Sequence, residues 1–144
     1  MNTEIRYRKG YKIGGRYIIH QPLKGGMGEV YLCYDSQGME AYALKTFQKS
    51  YITTQLHKNL HAEIGNWISL EKHPNIVRCF FLKTIDDIPF IFLEWVVGDA
   101  TKGISLRDRL NLVRKLSLQE ALLIIVDICQ GLVLQRKVAS RQVE

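Results

Sequence analysis

The chain of 144 residues is 47% hydrophobic and 24% charged, with a formal charge of +6, which supplies apolar material for one core and not for two full domains. Its longest apolar runs, 90–97 and 121–129, are interrupted by Glu94 and Asp127 and read as too short to span a bilayer; no apolar leader follows Met1, so a cytoplasmic location is expected. Cys33, Cys79 and Cys129 stand far apart without a CxxC spacing and the pair His57/His61 lacks a third ligand, so no metal site is expected and the thiols read as reduced.

Residues 1–15 form an arm made basic by Arg6, Arg8, Lys9 and Lys12. Such an arm reads as solvated, and no specific nucleic-acid partner is implied. Next come two β-rich segments, Tyr17-Ile18-Ile19 and Val30-Tyr31-Leu32, around Leu23-Lys24-Gly25-Gly26-Met27-Gly28-Glu29. Glycines at a strand-to-strand turn let backbone N–H groups approach phosphate oxygens, because no Cβ blocks the way. The loop lacks the Gly-Lys-Ser/Thr that would open a Walker helix. Taken alone, it serves equally as a glycine hairpin without a ligand.

The segment Glu40 to Phe47 reads as a strand that places Ala41, Ala43, Lys45 and Phe47 on one face and Tyr42, Leu44 and Thr46 on the other. From Thr53 to Lys72, Leu56, Leu60, Ile64, Trp67, Ile68 and Leu70 recur at helical spacing, and Glu63 falls within that apolar stripe. Its neighbours three and four residues away are Leu60, Asn59, Asn66 and Trp67, none of them a cation. A carboxylate there needs a partner from another element, and Lys45 is the candidate. The plainer alternative is a snorkelling lysine and a glutamate at the helix rim.

His73-Pro74 ends the helix, and Ile76 to Ile85 and Ile88 to Trp95 form a hairpin around Asp86-Asp87. Ser105-Leu106-Arg107-Asp108 and Ser117-Leu118-Gln119-Glu120 are capping signatures that open two further helices. Leu118, Leu122, Ile125, Cys129 and Leu132 share one stripe of the second.

These strings resemble the protein kinase family, specifically the N-terminal lobe of bacterial-type Ser/Thr kinases, in which the loop reads Gly-x-Gly-Gly-Met-Gly-x-Val-Tyr. Gly25 and Gly28 stand on the second and third family glycines and Leu23 on the first. The resemblance implies an α+β fold, with a five-stranded antiparallel sheet on one main helix followed by two helices of C-lobe type. It divides the chain into a basic arm (1–15), N-lobe and hinge (16–98) and an incomplete start of the C-lobe (99–144). ATP is the implied ligand, with Mg²⁺ in the intact family. Leu23, Gly25, Gly26, Gly28, Val30, Ala43 and Lys45 would line its site, and Lys45 would pair with Glu63 as in the phosphoryl-transfer template. Leu93 would be the gatekeeper, and the Glu94 and Val96 backbones would meet adenine, although an ordinary edge strand reads the same way.

After Gly131-Leu132 the family pattern stops: no His-Arg-Asp or Asp-Phe-Gly occurs, and no aspartate follows Asp127. The sequence is thus expected to be the ATP-binding portion of a Ser/Thr kinase, truncated before its catalytic loop and inactive. The alternative is a pseudokinase-like nucleotide-binding or interaction module. Ile124, Ile125 and Ile128 would lack the partners of a complete lobe, and the protein substrate is not legible.

Overall fold

A computed structural model describes residues 5–24, 28–47, 64–70, 72–99, 101 and 103–141. The chain divides into two compact units, Met1–Ser69 with Arg78–Trp95 and Leu70–Val77 with Val96–Glu144. In the first unit the alternating apolar segments form strands β1 (Lys12–Ile13), β2 (Tyr17–Lys24), β3 (Gly28–Asp35), β4 (Ala41–Phe47), β5 (Cys79–Ile85) and β6 (Ile88–Glu94). They make one antiparallel sheet in the order β1-β2-β3-β4-β6-β5. The expected five strands are present, and Lys12–Ile13 from the basic arm adds a short sixth.

Turn chemistry sets the connections. Gly14 and Gly15, at φ 57° and 68°, reverse the chain between β1 and β2, and glycine adopts such angles without a Cβ penalty. Asp86 and Asp87 also sit at positive φ, 50° and 61°. Two successive left-handed residues are the signature of a type I′ turn, whose twist matches that of the flanking strands. The hairpin therefore forms where the two aspartates lie, although its first strand starts at Cys79 rather than at Ile76.

Period-two alternation builds a core on each face of the sheet. One face buries Ile13, Tyr17, Ile19, Tyr31, Cys33, Tyr42, Leu44, Ile85, Phe90 and Phe92, with Ile5 and Tyr7 of the arm packed against them. Ile5 and Tyr7 thus tie the arm to the sheet, while Arg8, Lys9 and Lys12 are exposed to solvent. Tyr42 is the hub of the aromatic contacts on this face, with ring centroids 5.5 Å from Phe80 and Phe92, 6.1 Å from Phe81 and 6.5 Å from Tyr17. The opposite face buries Ala43, Ile64, Cys79, Ile91 and Leu93, with Val30, Leu32, Phe47, Trp67 and Leu82 beside them. Because both faces are covered, β6 is buried at every position from Pro89 to Leu93.

Of the helix expected between Thr53 and Lys72, the described part is helical over 64–68. Ile64 packs into the core, but Ile68, read as part of the apolar stripe, is exposed. The helix stops there: the Ser69 N–H donates to the Gly65 carbonyl and its hydroxyl to the Asn66 carbonyl.

In the second unit, α1 (Leu106–Val113) opens with the expected capping box. The Asp108 N–H donates to the Ser105 hydroxyl at 3.1 Å, and the Ser105 N–H donates to the Asp108 carboxylate at 3.0 Å. The helix α2 (Leu118–Arg141) begins with the Glu120 N–H on the Ser117 hydroxyl, and Arg109 Nε donates to the Glu120 carboxylate at 2.8 Å. Gly131 of α2 is buried against the 73–77 segment, where a Cβ would lie 3.2 Å from the Asn75 carbonyl oxygen. Asn75 Nδ2 donates to Gln130 at 3.0 Å and to Asp127 at 3.4 Å. The side of α2 that packs is therefore partly polar, while Leu118, Leu122, Ile125 and Leu132 of its apolar stripe are exposed. A groove lined by His73, Ile125, Val126, Cys129, Val133 and Leu134 runs along it.

Capping at Ser117 joins 121–129 to its flanks in one helix, whose window Leu118–Arg136 is long and apolar enough to cross a membrane by length and composition alone. Asp127 lies inside that window and is hydrogen-bonded to Asn75.

Candidate nucleotide site on the sheet

Strands β2, β3, β4 and β6 bring part of the expected set together. β2 and β3 pair Leu23 with Val30 and Lys24 with Glu29, so the Lys24–Glu29 rung is the last one below the four residues 25–28. Gly25 and Gly26 lie outside the described residues. Gly28 is described and explains its own identity: a Cβ there would fall 2.3 Å from the Thr46 carbonyl oxygen. That approach excludes every side chain, and it seats the second leg of the glycine loop against β4.

Across the sheet, Val30 is paired with Lys45 and Lys45 with Ile91, while Leu32 is paired with Ala43 and Ala43 with Leu93. In antiparallel strands paired residues point to the same face. Val30, Ala43, Lys45 and Leu93 therefore share the face that carries Ile64, and Lys45, half-buried, stands between two apolar neighbours on its rungs. An ammonium so placed has its stem in apolar surroundings and its charge available for an anion. Glu63, its expected partner, lies outside the described residues, as do His57 and His61.

At the other end of the strip, Leu93 is buried and paired with Cys79 as well as with Ala43. The Glu94 N–H donates to the Arg78 carbonyl at 2.9 Å, and the Glu94 carboxylate accepts the Arg78 N–H at 3.2 Å. A base could meet Glu94 only through its carbonyl. Val96 belongs to the second unit and is exposed.

The surroundings of this strip are chemically quiet. Cys33 and Cys79 are buried, and desolvation pushes their thiols up to about 12 and about 11, so neither is a nucleophile near neutral pH. Among the described residues no group of three or more His, Cys, Asp or Glu side chains is arranged to hold a metal ion.

One residue beside the loop escaped the sequence reading. Glu29 is 6% exposed, on the face opposite Val30. The Tyr31 hydroxyl donates to one carboxylate oxygen, and the Arg6 N–H donates to the other at 3.3 Å. The alternation in Glu29-Val30-Tyr31 was the available signal, since it puts an acid and a phenol on one face. The partner from the arm was not legible.

A family model of the protein kinase domain matches residues 20–135. Over 95 residues the chain is 35% identical to the serine/threonine-protein kinase PrkC of Bacillus subtilis (strain 168), which covers 65% of this chain and 14% of that protein. Over 103 residues it is 29% identical to the serine/threonine-protein kinase PknD of Protochlamydia amoebophila (strain UWE25), covering 72% of this chain and 10% of that one. In fold it is similar to the PknI kinase domain of Mycobacterium tuberculosis, with a TM-score of 0.71 at 19% identity over 91% of this chain and 52% of that one. The chain thus spans about half the length of that solved domain and a small part of the two curated relatives.

Proposed function

We propose, because this chain belongs to the protein kinase domain family, that it is the nucleotide-binding portion of a bacterial-type Ser/Thr kinase. The observation that carries this reading is the strip of Val30, Ala43, Lys45 and Leu93 on one face of the sheet, next to a glycine that admits no side chain. Its composition fits the ligand. Val30 and Ala43 offer flat apolar surface for a purine, Leu93 limits the depth of the slot, and the Glu94 carbonyl would meet the base edge. Lys45 would hold the α- and β-phosphates, assisted by backbone N–H groups of the loop at Gly25, Gly26 and Gly28, with Leu23 beside its first leg. Glu63 would orient Lys45 through an ion pair. Bound ATP supplies the transferable phosphoryl group; the residues here bind and orient it. Mg²⁺ would be held by phosphates and water, since the 144-residue sequence carries neither a His-Arg-Asp nor an Asp-Phe-Gly string.

Calorimetry with ATP and adenosine, with and without Mg²⁺, tests the reading. ATP should bind more tightly than adenosine, Lys45→Met should weaken ATP about tenfold, or about 1.4 kcal/mol, and Mg²⁺ should change little. An ATP affinity indifferent to Lys45→Met would overturn the assignment. No binding of either ligand would favour the other reading, an interaction module on a kinase fold.

A further inference from the structure

We propose that Glu29 is a positioning residue for the glycine loop, held on the outer face of the sheet by the N-terminal arm. This rests on the nucleotide-binding reading given above. The argument begins with the last rung of the β2–β3 ladder, Lys24–Glu29, from which the loop springs. Val30 faces the proposed nucleotide strip, so its neighbour Glu29 must face away. A carboxylate beside an anion-binding loop would repel phosphate and compete for the loop's N–H groups if it were free to turn. Here each of its oxygens already has a donor: the Tyr31 hydroxyl on one and the Arg6 N–H on the other.

The arm that brings Arg6 there is itself fastened. The Gly10 N–H donates to the Ile19 carbonyl at 2.8 Å and the Ile19 N–H to the Tyr11 carbonyl at 3.0 Å, tying the arm to β2. The Tyr7 ring stacks on Tyr11 at 4.8 Å and meets Tyr31 edge-on at 5.6 Å. Arg6 Nη1 is buried without a hydrogen-bond partner, so the contact of Arg6 with Glu29 is made by its backbone N–H. Burial and Glu29 raise the Tyr31 phenol far above neutral pH, so it remains a donor throughout the physiological range. Gly28 is already seated on β4 by its approach to Thr46. Glu29 then fixes the same leg of the loop from the other face, and the arm thereby sets how the loop meets phosphates.

Three variants of the full chain test this: Tyr31→Phe, which keeps the ring and removes the hydroxyl; deletion of residues 1–9; and Glu29→Gln, whose amide oxygen still accepts. In the ligand-free protein, amide hydrogen exchange over 24–30 should quicken for the first two, with β5 and β6 unchanged. Their ATP affinity should fall roughly fivefold or more while adenosine affinity stays the same. Glu29→Gln should retain most of the ATP affinity. Unchanged exchange over 24–30 would overturn the proposal, and so would equal losses for ATP and adenosine, which indicate general loosening of the sheet. If the wild type binds neither ligand, the nucleotide reading fails; the exchange measurement still decides whether Glu29 and the arm hold the loop.

Discussion

Arg16 and Asp35 form a charge pair in which Nε and Nη2 meet the two carboxylate oxygens at 2.7 and 2.5 Å, while the Gln37 N–H adds a third donor at 3.0 Å. Asp35 is buried, and the guanidinium holds its carboxyl well below the usual carboxylate range. A group whose pKa is lowered on folding contributes stability that is complete above its unfolded pKa and is lost as pH falls towards the folded one. The pair should therefore stabilise the protein at neutral pH and cease to do so in acid. Arg16→Gln, which leaves a buried carboxylate without its cation, should destabilise at neutral pH, and the difference from wild type should narrow below about pH 4. Urea titrations over a pH series measure this; a difference constant with pH would show that Arg16 acts by packing alone. The pair was not foreseen from sequence, because its members lie 19 residues apart and only the β2–β3 register brings them together.

At the scale of elements, hairpin and helix differ in how much local sequence decides. Asp86-Asp87 was legible as a turn because the turn's chemistry resides in those two residues. The caps at Ser105 and Ser117 were legible for the same reason. By contrast, the stripe of α2 was read as residues on one side, and Ile125 and Ile128 were expected to lack partners, as they do, but what packs on the other side was not legible. Periodicity reports which residues share a face and carries no information about what covers it. The packed side is marked by Gly131 and the Asn75 contacts, while Leu122 and Ile125 are 53% and 54% exposed. Exposed apolar surface of this extent favours association. The 144-residue chain should accordingly show concentration-dependent association in sedimentation, and Leu122→Gln with Ile125→Gln should reduce it; a chain that stays monomeric at every concentration would contradict this.

For the whole molecule, the proposed function carries a kinetic consequence. Positioning a nucleotide without a catalytic base or protein-held metal leaves phosphoryl transfer near its uncatalysed rate, because that reaction depends almost wholly on such groups. The purified chain should transfer no label from γ-labelled ATP to a generic protein acceptor. Transfer that disappears in Lys45→Met would sink this expectation and would mean that other residues replace the missing aspartates.

Sequence by itself determined the strand pattern, the glycine loop, the face shared by Ala43 and Lys45, and the kinase family, since each rests on local spacing or on a string of adjacent residues. Tertiary structure alone decided that Gly28 faces the Thr46 carbonyl, that Asp35 belongs to Arg16, that Gly131 and the Asn75 contacts mark the packed side of α2, and that the N-terminal arm reaches Glu29. These contacts join residues distant along the chain. Their energetics depend on burial and register, which no local pattern encodes.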